Sequence, residues 1–155
     1  MPDTRTQIAT FIGRYSPSVA RQFRAARTHV RKLFPRGYEL VHDNYNAFGC
    51  GYSSTPLASG VIVSVVAYPR WVTLFFFSGP RLPDPEGLLQ GTGSKVRSVR
   101  LEPLAVLESD AVHDLLAATI APFAAGLKTK PRLSTIIKTQ SAKRRPRRPP
   151  ARKTR

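Results

Sequence analysis

Ile8, Phe11, Ile12 and Tyr15 recur at helical spacing and fall on one face, so the pattern predicts a first helix ending near Tyr15. Ser16-Pro17 then supplies a capping hydroxyl and a first-turn proline. They open a second helix whose apolar stripe is Val19, Phe23, Ala26, Val30 and Leu33. Pro35 and Gly37 close it. Arg21, Arg24, Arg27, Arg31 and Lys32 fall largely on its other side, a cationic ridge that reads either as a solvated face or as a binding surface. From Tyr38 to Tyr52 the chain alternates around Asn44 and Asn46, which predicts two short strands and a turn, with Tyr38, Leu40 and His42 sharing a face. Gly60 to Tyr68 is nearly continuous in Val and Ile, as a central strand should be. Pro69-Arg70-Trp71 makes a tight connection to the next strand, which places Tyr68 and Trp71 near a hairpin tip.

The stretch from Val72 to Leu101 packs several devices together. Val72, Leu74 and Phe76 alternate with Phe75 and Phe77 until Ser78-Gly79-Pro80 stops the strand. Asp84-Pro85 sets up a turn or short helix, with Asp84 placed to cap the amides of Glu86 and Gly87 and with Leu88 and Leu89 as its anchor. Gly91-Thr92-Gly93-Ser94-Lys95 loosens the backbone before a strand from Val96 to Leu101. A last helix starts at the Ser109 cap and carries Val112, Leu115, Leu116, Thr119, Ile120 and Phe123 on one face, until Pro122 ends or kinks it. Together these elements predict an α+β domain, an antiparallel sheet of about five strands packed against N-terminal and C-terminal helices in two layers.

The succession in this stretch resembles the YdhG-like family, the domain of unknown function numbered 1801. The matching positions are the strand ending at Phe77, Gly79, Leu82, Asp84-Pro85, Leu88-Leu89, Gly91, Gly93, Lys95 and Arg100-Leu101. Looser similarity reaches from about residue 4 to residue 125. The resemblance implies a small α+β fold and no particular reaction. Some members are labelled frataxin-like iron chaperones.

Charge divides the chain. Of 25 Lys and Arg in its 155 residues, twelve lie from Lys128 onward with no acid among them, leaving 13 basic against 9 acidic residues before that point. The expected organisation is therefore a domain over residues 1–127 and a basic Pro/Arg/Lys-rich, largely disordered tail over 128–155, in which Leu133, Ile136 and Ile137 allow one short strand at 132–138. Lys143, Arg144, Arg145, Arg147, Arg148, Arg152 and Lys153 are the tail's candidates for nonspecific nucleic-acid or polyanion contact. No aromatic residue is interleaved among them to stack on bases.

Cys50 is the single cysteine, so an intramolecular disulfide is excluded. No apolar run is long enough to span a bilayer and no secretory leader is visible, which makes the cytoplasm the expected location and a membrane an unexpected partner. His29, His42 and His113 show no metal-ligand spacing. The Gly91–Lys95 loop lacks the adjacent Gly-Lys of a phosphate loop and is followed by a strand. No nucleophile elbow, no catalytic motif and no cofactor motif occurs. No Asp or Glu lies between Thr4 and Gly37, so an acidic helical ridge for iron is replaced by arginine.

These residues favour a noncatalytic binding domain for a small anionic ligand or partner at the sheet and Gly-loop end. Its candidate contacts are Gly91, Gly93, Lys95, Arg97, Arg100 and Trp71. The alternatives are an iron-binding chaperone and nucleic-acid binding through the tail.

Overall fold

A computed structural model describes residues 2–150, as an α+β architecture of one mixed six-stranded sheet with helices packed on one side. Helix α1 spans Thr4–Gly13 and α2 spans Pro17–Leu33. Asp3 caps the first through the Thr6 amide and Ser16 caps the second through the Val19 amide, so each start satisfies one orphan donor. Strands β1 (Tyr38–Asp43), β2 (Phe48–Ser53), β3 (Val61–Ala67), β4 (Val72–Phe76) and β5 (Arg97–Arg100) form an antiparallel meander. Helix α3 (Asp110–Ile120) runs through a 3-10 turn at Pro122 into the short α4 (Ala124–Leu127), the break that proline imposes. Phe123, expected on the apolar face, lands in that turn and is exposed.

Two expectations are corrected. The sheet has a sixth strand, β6 (Ser134–Gln140), which pairs in parallel with β1, so the sheet is mixed instead of antiparallel and its order is β5-β4-β3-β2-β1-β6. The short strand allowed at 132–138 is therefore a full sheet member. Likewise the domain does not stop at residue 127. Without β6 the outer edge of β1 would leave its amides and carbonyls unpaired, and Ile137 packs against the core from the new edge. The chain is anchored on the way in, since Gly37 donates to the Pro131 carbonyl, Leu133 to that of Pro35 and Ser134 to that of Gly37. The basic stretch also lies on the body as far as residue 150 and is not wholly a free tail: Arg147 is only 5% exposed. Arg152 and Lys153 lie outside the described residues.

Strand register explains the core. Ile137, Val41, Cys50, Val65, Leu74 and Val99 form one row across all six strands, on the face that meets the helices. Phe48 packs its ring against Phe11 of α1 and Phe23 of α2, with centroids 5.7 and 5.1 Å apart. The buried Tyr15 hydroxyl ties the α1–α2 corner to the sheet by donating to the Ala67 carbonyl and accepting from the Phe48 amide. The expected hairpin at Tyr68 and Trp71 closes through the Tyr68 amide and the Trp71 carbonyl. No helix among the described residues is long and apolar enough to cross a membrane.

Candidate functional site

Because side chains alternate along a strand, Glu39 and Asp43 point to the same helix-covered face as Val41, and both are buried, at 0% and 1% exposure. A carboxylate there must be paired, or burial would neutralise it. The arginines of α2 do the pairing for Glu39. Arg27 grips it with two bonds, Nη2 to Oε1 at 2.8 Å and Nε to Oε2 at 3.1 Å, while Arg31 Nη1 donates to Oε1. The neighbours of Glu39 in the sheet register complete its shell: Tyr52 on β2 donates to Oε2 at 2.7 Å and Thr135 on β6 donates to Oε1 at 2.9 Å. Burial pushes the Glu39 pKa upward and is the largest single influence, but the bonds and charges of Arg27, with Tyr52 and Arg31, outweigh it and hold the carboxyl below its ordinary value of 4.5. Burial also works against the Arg27 proton, yet Glu39 keeps that guanidinium more firmly charged than usual.

This arrangement decides what the cationic ridge is. Its Arg27 and Arg31 are structural clasps on one side and line an open groove of 570 Å³ on the other, together with Arg5 and Thr4 of α1, Arg24 and Thr28 of α2, and Thr135. Four arginines line that space, and the Glu39 carboxylate that holds two of them is itself sealed from solvent. Arg24 and Thr28 also border a second hollow of 540 Å³ with His29, Lys32 and Glu108, so the ridge separates two basic depressions.

The residues expected at the Gly-loop end divide into two groups. Gly91, Gly93 and Lys95 share the loop that leads into Arg97 at the start of β5, whereas Arg100 and Trp71 sit at the other end of that strand, about 10 Å away by strand rise. Gly91 has φ +113°, the conformation that calls for glycine. Arg97 donates to the carbonyls of Gly93 and Val96, so the loop turns acceptors toward its own cation. Gly79 is needed for the close approach of β5, since a Cβ there would stand 2.4 Å from the Arg97 side chain. Contrary to expectation, the Asp84 side chain does not cap the amides of Glu86 and Gly87; the chain makes a turn there and the carboxylate accepts from the amides of Leu88 and Leu89. Lys95 with Arg81, Ser78 and Ser94 borders a 350 Å³ hollow. The Arg100 guanidinium carbon stands over Trp71, 3.6 Å from its ring centroid.

Among the described residues no group of three or more His, Cys, Asp or Glu could hold a metal ion. His42 is half-buried and bonds Thr139; burial, then Lys138, holds its pKa below the ordinary value. Cys50 lies fully buried in the core row, and burial raises its thiol pKa well above normal. In native protein Cys50 is expected to resist thiol reagents until denaturant is added; stoichiometric labelling within minutes without denaturant would contradict this placement.

Sequence reasoning missed Glu39, Tyr52 and Thr135. One signal was available, an acid between apolar neighbours at the parity of Val41, close in sequence to arginines spaced i, i+4. No family model, curated protein or solved structure matches this chain.

Proposed function

We propose that the chain is a noncatalytic binding domain for a small anionic ligand, held in the arginine groove of α1, α2 and β6 and not at the Gly91–Lys95 loop. The single observation that carries this reading is the groove itself, with Arg5, Arg24, Arg27 and Arg31 around one accessible space. Planar guanidiniums recognise phosphate and carboxylate through paired N–H donors, and Glu39 fixes two of them in place before a ligand arrives. Prepositioning lowers the ordering cost of binding. Thr28 and Thr135 add neutral hydroxyls at the rim. The α+β layout agrees with a YdhG-like assignment, which we retain as part of this proposal.

The test is a thermal-shift titration of the full chain with inorganic phosphate, pyrophosphate and citrate. Native protein should be stabilised by at least one of them, by about 2.7 kcal/mol at a hundredfold excess over Kd. Arg5→Ser with Arg24→Ser, both exposed and outside the Glu39 shell, should weaken the effect tenfold or more without lowering the unliganded melting temperature. Absence of stabilisation by all three anions at millimolar concentration would overturn the reading.

A further inference from the structure

Two hairpin tips and the C-terminal segment meet at one corner of the sheet. The β1–β2 tip presents Tyr45, 52% exposed, and the β3–β4 tip presents Tyr68 and Trp71, with ring centroids 6.4 Å apart. Asp43 pulls the basic segment across this corner through Arg144 and Arg147, and the Arg145 amide donates to the Tyr45 carbonyl. As a result the Arg145 guanidinium stands 5.9 Å from the Tyr45 ring centroid. Arg145 and Arg148 then border a hollow of 520 Å³ with Arg70, Asn46, Tyr68 and Pro149, and among the described residues no carboxylate lines it. Arg100, beside Trp71, extends the positive surface, with Glu102 3.8 Å from it as its counter-charge.

The basic segment has no aromatic residues of its own, but the fold brings it beside the rings of Tyr45 and Tyr68. Charge alone would attract any polyanion. Flat rings set among guanidiniums add something that only a ligand with exposed π-faces can use. A duplex keeps its base faces stacked inside, and a peptide of acidic residues without aromatics has none to offer. We propose that this corner binds single-stranded nucleic acid, with phosphates on Arg70, Arg145 and Arg148 and bases stacked on Tyr45 and Tyr68. The surface is separate from the groove of α1 and α2 and does not depend on it.

Trp71 is the only tryptophan of the chain, so its fluorescence reports on the corner directly. The full chain is titrated with an oligothymidylate of about ten nucleotides, within the site sizes of single-strand binders. Quenching should saturate. Tyr45→Ala should weaken binding by about tenfold, as loss of one stacked base does, and Tyr45→Trp should restore it. Combining Tyr45→Ala with Tyr68→Ala should weaken it further. Arg70→Ser with Arg145→Ser should reduce the salt dependence by about 0.7 for each phosphate that is no longer neutralised. Arg5→Ser with Arg24→Ser should leave oligonucleotide affinity unchanged, while the tyrosine variants should keep their response to small anions. Undiminished binding by Tyr45→Ala overturns the proposal, as does a duplex or polyglutamate that binds as tightly as the single strand. A loss confined to the Arg5 and Arg24 variant overturns it too, since it would assign the oligonucleotide to the groove.

Discussion

Glu39→Gln should unfold on the order of 10 °C below the native protein, because a buried ion pair broken from one side costs about 3–5 kcal/mol and a domain of this size loses a few degrees per kcal/mol. The amide keeps the shape of the carboxyl and can still accept from Tyr52, so the loss isolates charge from packing. What remains is Arg27 and Arg31 directed at a neutral group, with Arg27 only partly reached by solvent at 24% exposure. Arg31→Ala should cost less, since Arg31 is 37% exposed and Arg27 still grips the carboxylate with both bonds. The acid dependence follows with a definite sign. Glu39 titrates below its ordinary 4.5 in the folded protein, so its stabilisation is fully present above about that pH and is lost as pH falls through the lower folded value. The gap in melting temperature between native protein and Glu39→Gln should therefore be full at neutral pH and shrink below pH 4.5. Equal melting temperatures at pH 7 would show that the clasp contributes nothing.

Much of the fold was legible because periodicity reports burial. The α2 boundaries follow from Ser16-Pro17 at one end and Pro35 at the other, and the central place of β3 follows from a Val and Ile run interrupted only at Ser64. The sixth strand was harder to read. Ser134–Gln140 holds two isoleucines among polar residues in a strongly basic region, and its partner β1 lies almost a hundred residues earlier, so nothing local announces the pairing. Composition suggested disorder, and tertiary contact with β1 overrode it.

The site divides in the same way. The arginine ridge could be read from helical spacing, but its purpose depended on which strand residues face it. Nothing local in the sequence marks the partners of Glu39, and only the sheet register places Tyr52 and Thr135 on either side of it. The corner of Tyr45, Tyr68 and Arg145 was illegible for a related reason, since sequence neighbours determine none of its contacts. By contrast, Arg97 reads in the sequence as a ligand contact, whereas it donates to the carbonyls of Gly93 and Val96 beside it.

Asp43→Asn should release the C-terminal segment, and this is the second large effect expected. Arg14 from the end of α1 and Arg144 and Arg147 from beyond β6 converge on that one carboxylate, at 3.1, 2.5 and 3.0 Å. Arg147 is the most deeply held of the three. Its side chain is 4% exposed, and it also donates to the carbonyls of Asn44 and Tyr45. Among the described residues its Nε has no partner, and the buried guanidinium depends on Asp43 for its compensating charge. With asparagine in place, keeping Arg147 buried costs more than letting the segment leave, because its charge can be hydrated outside at once. The departure need not unfold the sheet, since β6 is held by its own pairing with β1 as far as Gln140. Limited trypsin digestion separates the outcomes. In native protein cleavage at Arg144 and Arg147 should be slow, and in Asp43→Asn it should accelerate by tenfold or more, while sites within β6 and α2 stay protected. Acceleration everywhere would mean that Asp43 supports the whole core, and an unchanged pattern would mean that the three arginines do not hold the segment.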